Sequence, residues 1–502
     1  MPRFVFQVRK RRPACYSLRT FELNQLPEIG CLIPRSIEKR VLMNRWVTLC
    51  CFLFFATCVT QNASALEQRS AVPPPQTALS PTPPGSAGSA GTQTASAVAN
   101  AVPKRITAYT LAPELYRKAK TLGRIRFSFR LFSFFYGVFV LWFILERRYS
   151  AKFRDWAESA SRKRYFQVLV YVPLLIATMA LLQLPLDLFN EILFKRYGIS
   201  IQSWGSWTGD WFKMQSLTIL AATLLTLLLY AIIRRSPQRW WFYFWLIAMP
   251  IFLVVFFLQP YVIDPMFNEF QPLSAKAPAI VPELQRIARR AGMEISPERM
   301  FWMKASDKTI YCNAYVTGFG ASKRIVIWDT CFASESTDGI LTFFGHELGH
   351  YALGHIWKGL VFFSLLAFAL LYLGRRGIGW LLRKYARSWS IRSLDDWASL
   401  PALLLLITLY GFAAMVAANT FSRYMENQAD VYGLEVTHGI LADPGQASAI
   451  SFQEYGESVF VDPDPSAAYV FLFFDHPTVT DRVHLFVTYD PWSKGEPPQF
   501  VK

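Results

Sequence analysis

Long apolar runs broken by short charged ones dominate the chain beyond residue 130. Six stretches contain no charged side chain: 131–145, 165–186, 214–233, 240–263, 359–374 and 397–422. They approach or exceed the roughly 20 residues a helix needs to cross a bilayer, so six membrane spans are predicted. Three of them close on Arg147-Arg148, Arg234-Arg235 and Arg375-Arg376, as spans usually stop. Between the fourth and fifth spans the pattern changes. Leu284, Ile287 and Ala288 recur at helical spacing and predict an amphipathic helix over 282–291. Short β-type runs follow at 300–303, 309–316 and 324–329, with turn residues at 318–322 before the last. A further helix is expected from about Thr337, with Asp338 in its first turn complementing the helix dipole.

Composition agrees with this pattern. Of 502 residues, 53% are hydrophobic and 16% aromatic, which excludes disorder and points to a multi-pass protein in the lipid bilayer. The net charge of +17 raises the possibility of a nucleic-acid partner. The basic residues form neither a single stripe nor a nucleic-acid motif, and none is expected. They gather instead in the loops 147–164, 234–239 and 375–392, while 187–213 is poorer in them. The positive-inside rule then makes those three loops cytoplasmic.

The first hundred residues are different material. A basic start at Met43-Asn44-Arg45, an apolar run over 46–60 and small residues at 62–65 have the build of a signal peptide, with residues 1–42 upstream of it. Residues 66–103, rich in Pro, Ala, Ser and Thr, read as a flexible linker. Five of the seven cysteines precede residue 60; Cys312 and Cys331 could cross-link but are read as two structural thiols. The expected organisation is a leader or upstream extension (1–65), the linker (66–103), four spans (104–263), a catalytic segment (264–357), two spans (358–422) and a C-terminal catalytic segment (423–502).

The chemistry lies in that second half, which holds all six histidines. In His346-Glu347-Leu348-Gly349-His350 the two histidines lie one helical turn apart on one face, so both imidazoles can reach one Zn²⁺. Glu347 beside them is placed to take a proton from water. Catalytic zinc uses three protein ligands and keeps a fourth position open. Glu426 in Glu426-Asn427-Gln428-Ala429-Asp430 is the candidate third ligand, with His355 or His438 next in line. Asp430, a turn later, could accept the other ring N–H of a ligand histidine and fix its tautomer. Two crossings separate the pentapeptide from Glu426, so both return to the same side of the membrane. One zinc per chain and a peptide or protein substrate are expected. Strands ahead of a metal helix suit such a substrate, since an exposed strand can take an extended peptide as one more strand.

At these residues the chain resembles the integral-membrane zinc peptidases related to the type I CAAX prenyl protease, the gluzincin membrane peptidases. The likeness runs from about residue 131 to 490. It is carried by Leu184-Pro185-Leu186-Asp187-Leu188-Phe189 with Tyr197-Gly198-Ile199-Ser200, by Asn313-Ala314-Tyr315 and by Lys323-Arg324-Ile325-Val326-Ile327-Trp328-Asp329-Thr330. The metal helix from Gly345 to His350 with His355 beyond it, the Glu426–Asp430 run, and His476-Pro477 with Arg482 complete it. The resemblance implies a predominantly α polytopic transmembrane helical bundle with a small zincin-like α+β catalytic region. It also implies zinc on His346, His350 and Glu426, Glu347 as general base, His476 as a donor to the oxyanion, and a substrate strand at Asn313 and Ala314. Arg482 is expected to pair with an acid near the site. His438 and His484 receive no role.

Two alternatives stand beside a membrane zinc endopeptidase. An intramembrane-cleaving metalloprotease would carry its metal helix inside an apolar span, whereas His346 and His350 follow a polar segment. A transporter or metal-storage protein usually needs ionisable groups within its spans, and these six stretches lack charge. The leader and the basic loops place the catalytic side outside the cytoplasm, in a bacterial-type cell membrane. The oligomeric state is open.

Overall fold

The computed structural model describes residues 105–317 and 323–501. The leader-like segment, the linker and the 318–322 turn lie outside the described residues. Five helices open the described chain: α1 (Pro113–Glu146), α2 (Tyr149–Ala160), α3 (Arg164–Arg196), α4 (Trp204–Arg235) and α5 (Trp240–Val262). Strand β1 (Glu269–Pro272), helix α6 (Val281–Arg290) and strands β2 (Met300–Lys304), β3 (Ala314–Thr317) and β4 (Arg324–Trp328) follow. Then come α7 (Thr337–Ala352), α8 (His355–Tyr385), α9 (Leu400–Thr437), α10 (Pro444–Ser458), α11 (Ala467–Phe473) and α12 (Val479–Thr488).

Among the described residues six helices are long and apolar enough to cross a membrane: α1, α3, α4, α5, α8 and the α9 segment from Trp397. All but α5, which coincides with its stretch, extend beyond the uncharged run that announced them. α1 begins 18 residues before 131, at Pro113, and α8 continues through Arg375-Arg376 to Tyr385. A charge ends a membrane span without ending a helix, because the backbone hydrogen bonds are internal and water accepts the charged side chains.

The connection between the first two spans also holds more structure than its length suggests. It contains α2, whose 12 residues extend about 18 Å and cannot cross a 30 Å hydrocarbon core. α2 lies at the end of the bundle where the three basic loops gather. There Arg154 Nη1 donates to Asp396 Oδ2 at 2.7 Å, both side chains buried, and Arg148 Nε donates to the Ser388 carbonyl at 2.8 Å. The Arg234 guanidinium lies 5.6 Å from the Trp397 ring centre.

The small sheet has the order β1-β2-β4-β3, with β2 parallel to β4 and both outer strands antiparallel to their neighbours. Its buried residues, Met300, Met303 and Ile325 to Trp328, pack with Leu284, Ile287 and Ala288 of α6 and Ile340, Leu341, Phe344 and Leu348 of α7 in one core. The strand expected over 309–316 is only partly realised. Ile201 N donates to the Lys308 carbonyl and Thr309 bridges to Ser200, so this stretch pairs with the α3–α4 loop before the chain enters β3. The two expected thiols are instead a disulfide, Cys312–Cys331, which fastens the residues before β3 to those after β4.

Candidate metal and peptidase site

The site forms where α7 crosses α9. Ser336 caps α7 by accepting from Gly339 N at 3.0 Å. Gly354, with φ +67°, then turns the chain directly into the membrane helix α8. The crossing depends on small residues at the contact. A Cβ on Gly349 would stand 3.1 Å from the Ala429 Cα, tighter than most Cβ contacts, and one on Gly433 2.9 Å from the backbone nitrogen of His346, closer than real Cβ atoms come. This close approach brings residues from two helices, separated by a membrane hairpin, into one cluster.

In that cluster the ligand atoms of His346, His350 and Glu426 lie within 4.8 Å of one another. His346 Nε2 is 3.2 Å from Glu426 Oε2, His350 Nε2 is 3.5 Å from Glu426 Oε1, and the two Nε2 atoms are 3.1 Å apart. Nitrogen and oxygen ligands about 2.1 Å from a tetrahedral zinc would stand about 3.4 Å from each other, so the spacing fits. Oε2 of Glu426 is buried and has no hydrogen-bond partner among the described residues. An orphaned carboxylate oxygen facing two imidazole nitrogens is the donor set zinc takes.

The outer nitrogens of both histidines are also met. His346 Nδ1 lies 2.8 Å from Asp430 Oδ1. Asp430 in turn accepts from Arg482 at both oxygens, with Nε to Oδ2 at 2.9 Å, and the guanidinium lies over the Phe452 ring. Arg482 therefore finds its acid in Asp430. His350 Nδ1 lies 3.1 Å from His355 Nδ1, and His355 Nε2 lies 3.2 Å from Gln428 Oε1. His355 stands behind a candidate ligand and not among the three. His438 stacks on Trp492 at 3.6 Å and His484 is exposed on α12.

Burial penalises charge on His346, but Asp430 and Glu426 outweigh it and lift its pKa to about 9. Burial and the neighbouring His346 push His350 down to about 3. Burial lifts the Glu347 carboxyl to about 7 against the pull of His346, with Glu426 adding to the rise.

The Val316 backbone of β3, the edge strand beside α7, also faces the Glu347 carboxyl and draws its pKa down. Trp328 N donates to the Asn313 carbonyl at 3.0 Å, so antiparallel alternation turns the Asn313 and Tyr315 backbones toward β4. The Ala314 and Val316 backbones face the open edge. Of the two expected substrate positions, only Ala314 thus offers its main chain, and Asn313 is left its side chain.

His476 sits in the loop between α11 and α12. Its Nε2 is 3.3 Å from Glu426 Oε2 and its Nδ1 is 3.0 Å from Asp475 Oδ1. Sequence reasoning missed Asp475, although an acid adjacent to a candidate histidine was a signal available to it. It could not have found the Val316 backbone, which only the tertiary fold brings to Glu347.

The profile of Peptidase family M48 matches residues 274–487, and one described as CAAX prenyl protease N-terminal, five membrane helices, matches 93–269. Within that second range the described chain has four helices of spanning length and the short α2. The chain is 32% identical over 390 residues to the uncharacterized metalloprotease YhfN of Bacillus subtilis, covering 76% of this chain and 89% of that one. The chain belongs to peptidase family M48. A CAAX prenyl protease 1 homolog of Dictyostelium discoideum is 30% identical over 267 residues, covering 52% of this chain and 58% of that one. The crystal structure of Ste24p from S. mikatae superposes with a TM-score of 0.64 at 22% identity, over 74% of this chain and 88% of that one. The fold is that of a helical membrane protease, and the chain is a multi-pass membrane metalloprotease.

Proposed function

We propose that this M48 protein is a zinc-dependent endopeptidase that hydrolyses peptide bonds at the membrane surface, in the processing or quality control of membrane proteins. The observation that carries the reading is the convergence of His346, His350 and Glu426 within 4.8 Å, with one buried Glu426 oxygen that makes no hydrogen bond and Glu347 beside an open strand edge. When bound by those three side chains, zinc supplies Lewis-acid polarisation of the scissile carbonyl and makes water more acidic. Glu347 takes the proton from the attacking water and returns it to the departing amine. The Ala314 main chain on the free edge of β3 aligns an extended substrate as an added strand. His476, with Asp475 fixing its Nδ1, donates from Nε2 to the oxyanion as charge develops there. Asp430, steadied by Arg482, holds the His346 ring with Nε2 toward the ligand cluster. Removal and return of metal during peptide cleavage tests this reading.

We place this site outside the cytoplasm. Two observations support that side. The basic loops converge on the end of the bundle away from the ligand cluster, as the positive-inside rule requires of a cytoplasmic end. The Cys312–Cys331 disulfide lies on the catalytic side, and disulfides persist in oxidising compartments. The relatives named CAAX prenyl proteases point to prenylated substrates, which a site on this side would not meet in the cytosol. Single cysteines placed at the exposed positions Asp338 and Asp464 should react in intact cells with a membrane-impermeant thiol reagent. Labelling that needs the membrane to be opened first would put the site in the cytoplasm.

A further inference from the structure

One stripe of α9 carries more than the candidate metal ligand. Asn419, Arg423, Glu426 and Asp430 recur at helical spacing and so face the same way. Glu426 and Asp430 belong to the ligand cluster. The two residues before them, polar groups at the end of an apolar span, are used differently.

α11 is a short helix of seven residues that ends immediately before the His476 loop, and its last carbonyls have no intrahelical partner of their own. Three successive ones are taken by side chains from two membrane helices. Asn419 Nδ2 donates to the Leu472 carbonyl at 2.9 Å, Arg130 Nη1 of α1 to the Phe473 carbonyl at 3.0 Å, and Arg423 Nη1 to the Phe474 carbonyl. Arg423 Nη1 also reaches the Val470 carbonyl at 3.4 Å, and its Nη2 donates to Thr420 Oγ1 at 3.0 Å. The Arg130 guanidinium lies 5.7 Å from the ring centres of both Tyr469 and Phe473. Two cations at a helix C-terminus also complement its dipole. The next two residues are Asp475 and His476, whose imidazole faces Glu426 at 3.3 Å.

We propose that Asn419, Arg423 and Arg130 are positioning residues for His476: they hold the end of α11 against α9 and α1, and so set where the oxyanion donor stands relative to the metal ligands. The idea rests on the reading of His476 as that donor. The geometry favours a positioning role over general packing. The three bonds fall on consecutive carbonyls immediately before the catalytic loop, and Arg423 lies one turn from Glu426 on the same face. A shift of α9 would therefore carry ligand and donor together.

The test is a double-mutant cycle on the purified full chain, using a fluorogenic peptide that the wild-type protein cleaves. His476→Ala is measured first. If it leaves kcat unchanged, the donor role itself fails, separately from the clamp. With that role intact, Arg423→Gln and Asn419→Ala should each lower kcat by roughly tenfold to a hundredfold, the size expected of a small misplacement. KM should change little, and zinc content should stay at that of the wild type. Arg423→Lys, which keeps a donor for the Phe474 carbonyl, should recover most of the loss. In the His476→Ala background, Arg423→Gln should cost almost nothing further, because both changes remove the same function. Additive losses, or a fall in kcat matched by loss of zinc, would overturn the proposal, and the milder Asn419→Ala decides the outcome should Arg423→Gln fail to fold.

Discussion

Glu347→Gln should leave a protein that folds, keeps its zinc and no longer cleaves peptides. Glutamine has nearly the same shape, so the packing of α7 against β3 survives. The ligand side chains of His346, His350 and Glu426 are untouched, and none of their mutual distances depends on Glu347. Only the capacity to accept a proton from water disappears. General-base catalysis contributes about 10²–10⁴-fold, so kcat should fall by at least two to three orders of magnitude with zinc content unchanged. Paired measurements of turnover and elemental zinc on the same preparation check this. Normal turnover by a metal-loaded Glu347→Gln protein would remove Glu347 from the mechanism.

Glu426→Ala should differ in kind, losing metal and activity together. It removes the one carboxylate among the three candidate ligands and leaves His346 and His350 alone, too few for a catalytic zinc site. Asp430→Ala is the informative contrast. Asp430 meets the outer nitrogen of His346 at 2.8 Å and pairs with Arg482, so its loss frees the imidazole without removing a ligand. Changes to such supporting groups weaken metal binding by about 10–100-fold. Zinc affinity measured by competition with a chelator should rank wild type, Asp430→Ala and Glu426→Ala in descending order. A fully zinc-loaded and active Glu426→Ala protein would mean that the third ligand lies elsewhere.

How much of this was legible in the sequence depended on range. The spans were, because an uncharged run long enough to cross lipid is a local property. Their helical lengths were not, since Arg126, Arg130 and Arg375 interrupt hydropathy without interrupting backbone hydrogen bonds. Among the strands, β4 was plain from Ile325, Val326 and Ile327. β1 was not, because Glu269-Phe270-Gln271-Pro272 is only four residues long, has no β-branched residue and ends on a proline. The ligand candidates His346 and His350 were legible because helical spacing puts them on one face. Glu426 was reachable through the even number of crossings between it and the metal helix. What stayed hidden needed the fold. The Cys312–Cys331 pairing depends on β3 and β4 lying side by side, and the approach of the Val316 backbone to Glu347 on the edge strand running past α7. The bonds from Asn419, Arg130 and Arg423 depend on α11 folding back against two membrane helices.

The central claim is that this chain cleaves peptides with zinc held by His346, His350 and Glu426. The most direct test is to strip metal from the purified protein with a chelator, remove the chelator, and return zinc in substoichiometric steps while following cleavage of a fluorogenic peptide. The account predicts that activity disappears with the metal and returns in proportion to added zinc, saturating at about one equivalent per chain. Cleavage that persists in protein shown by elemental analysis to be free of metal would contradict it.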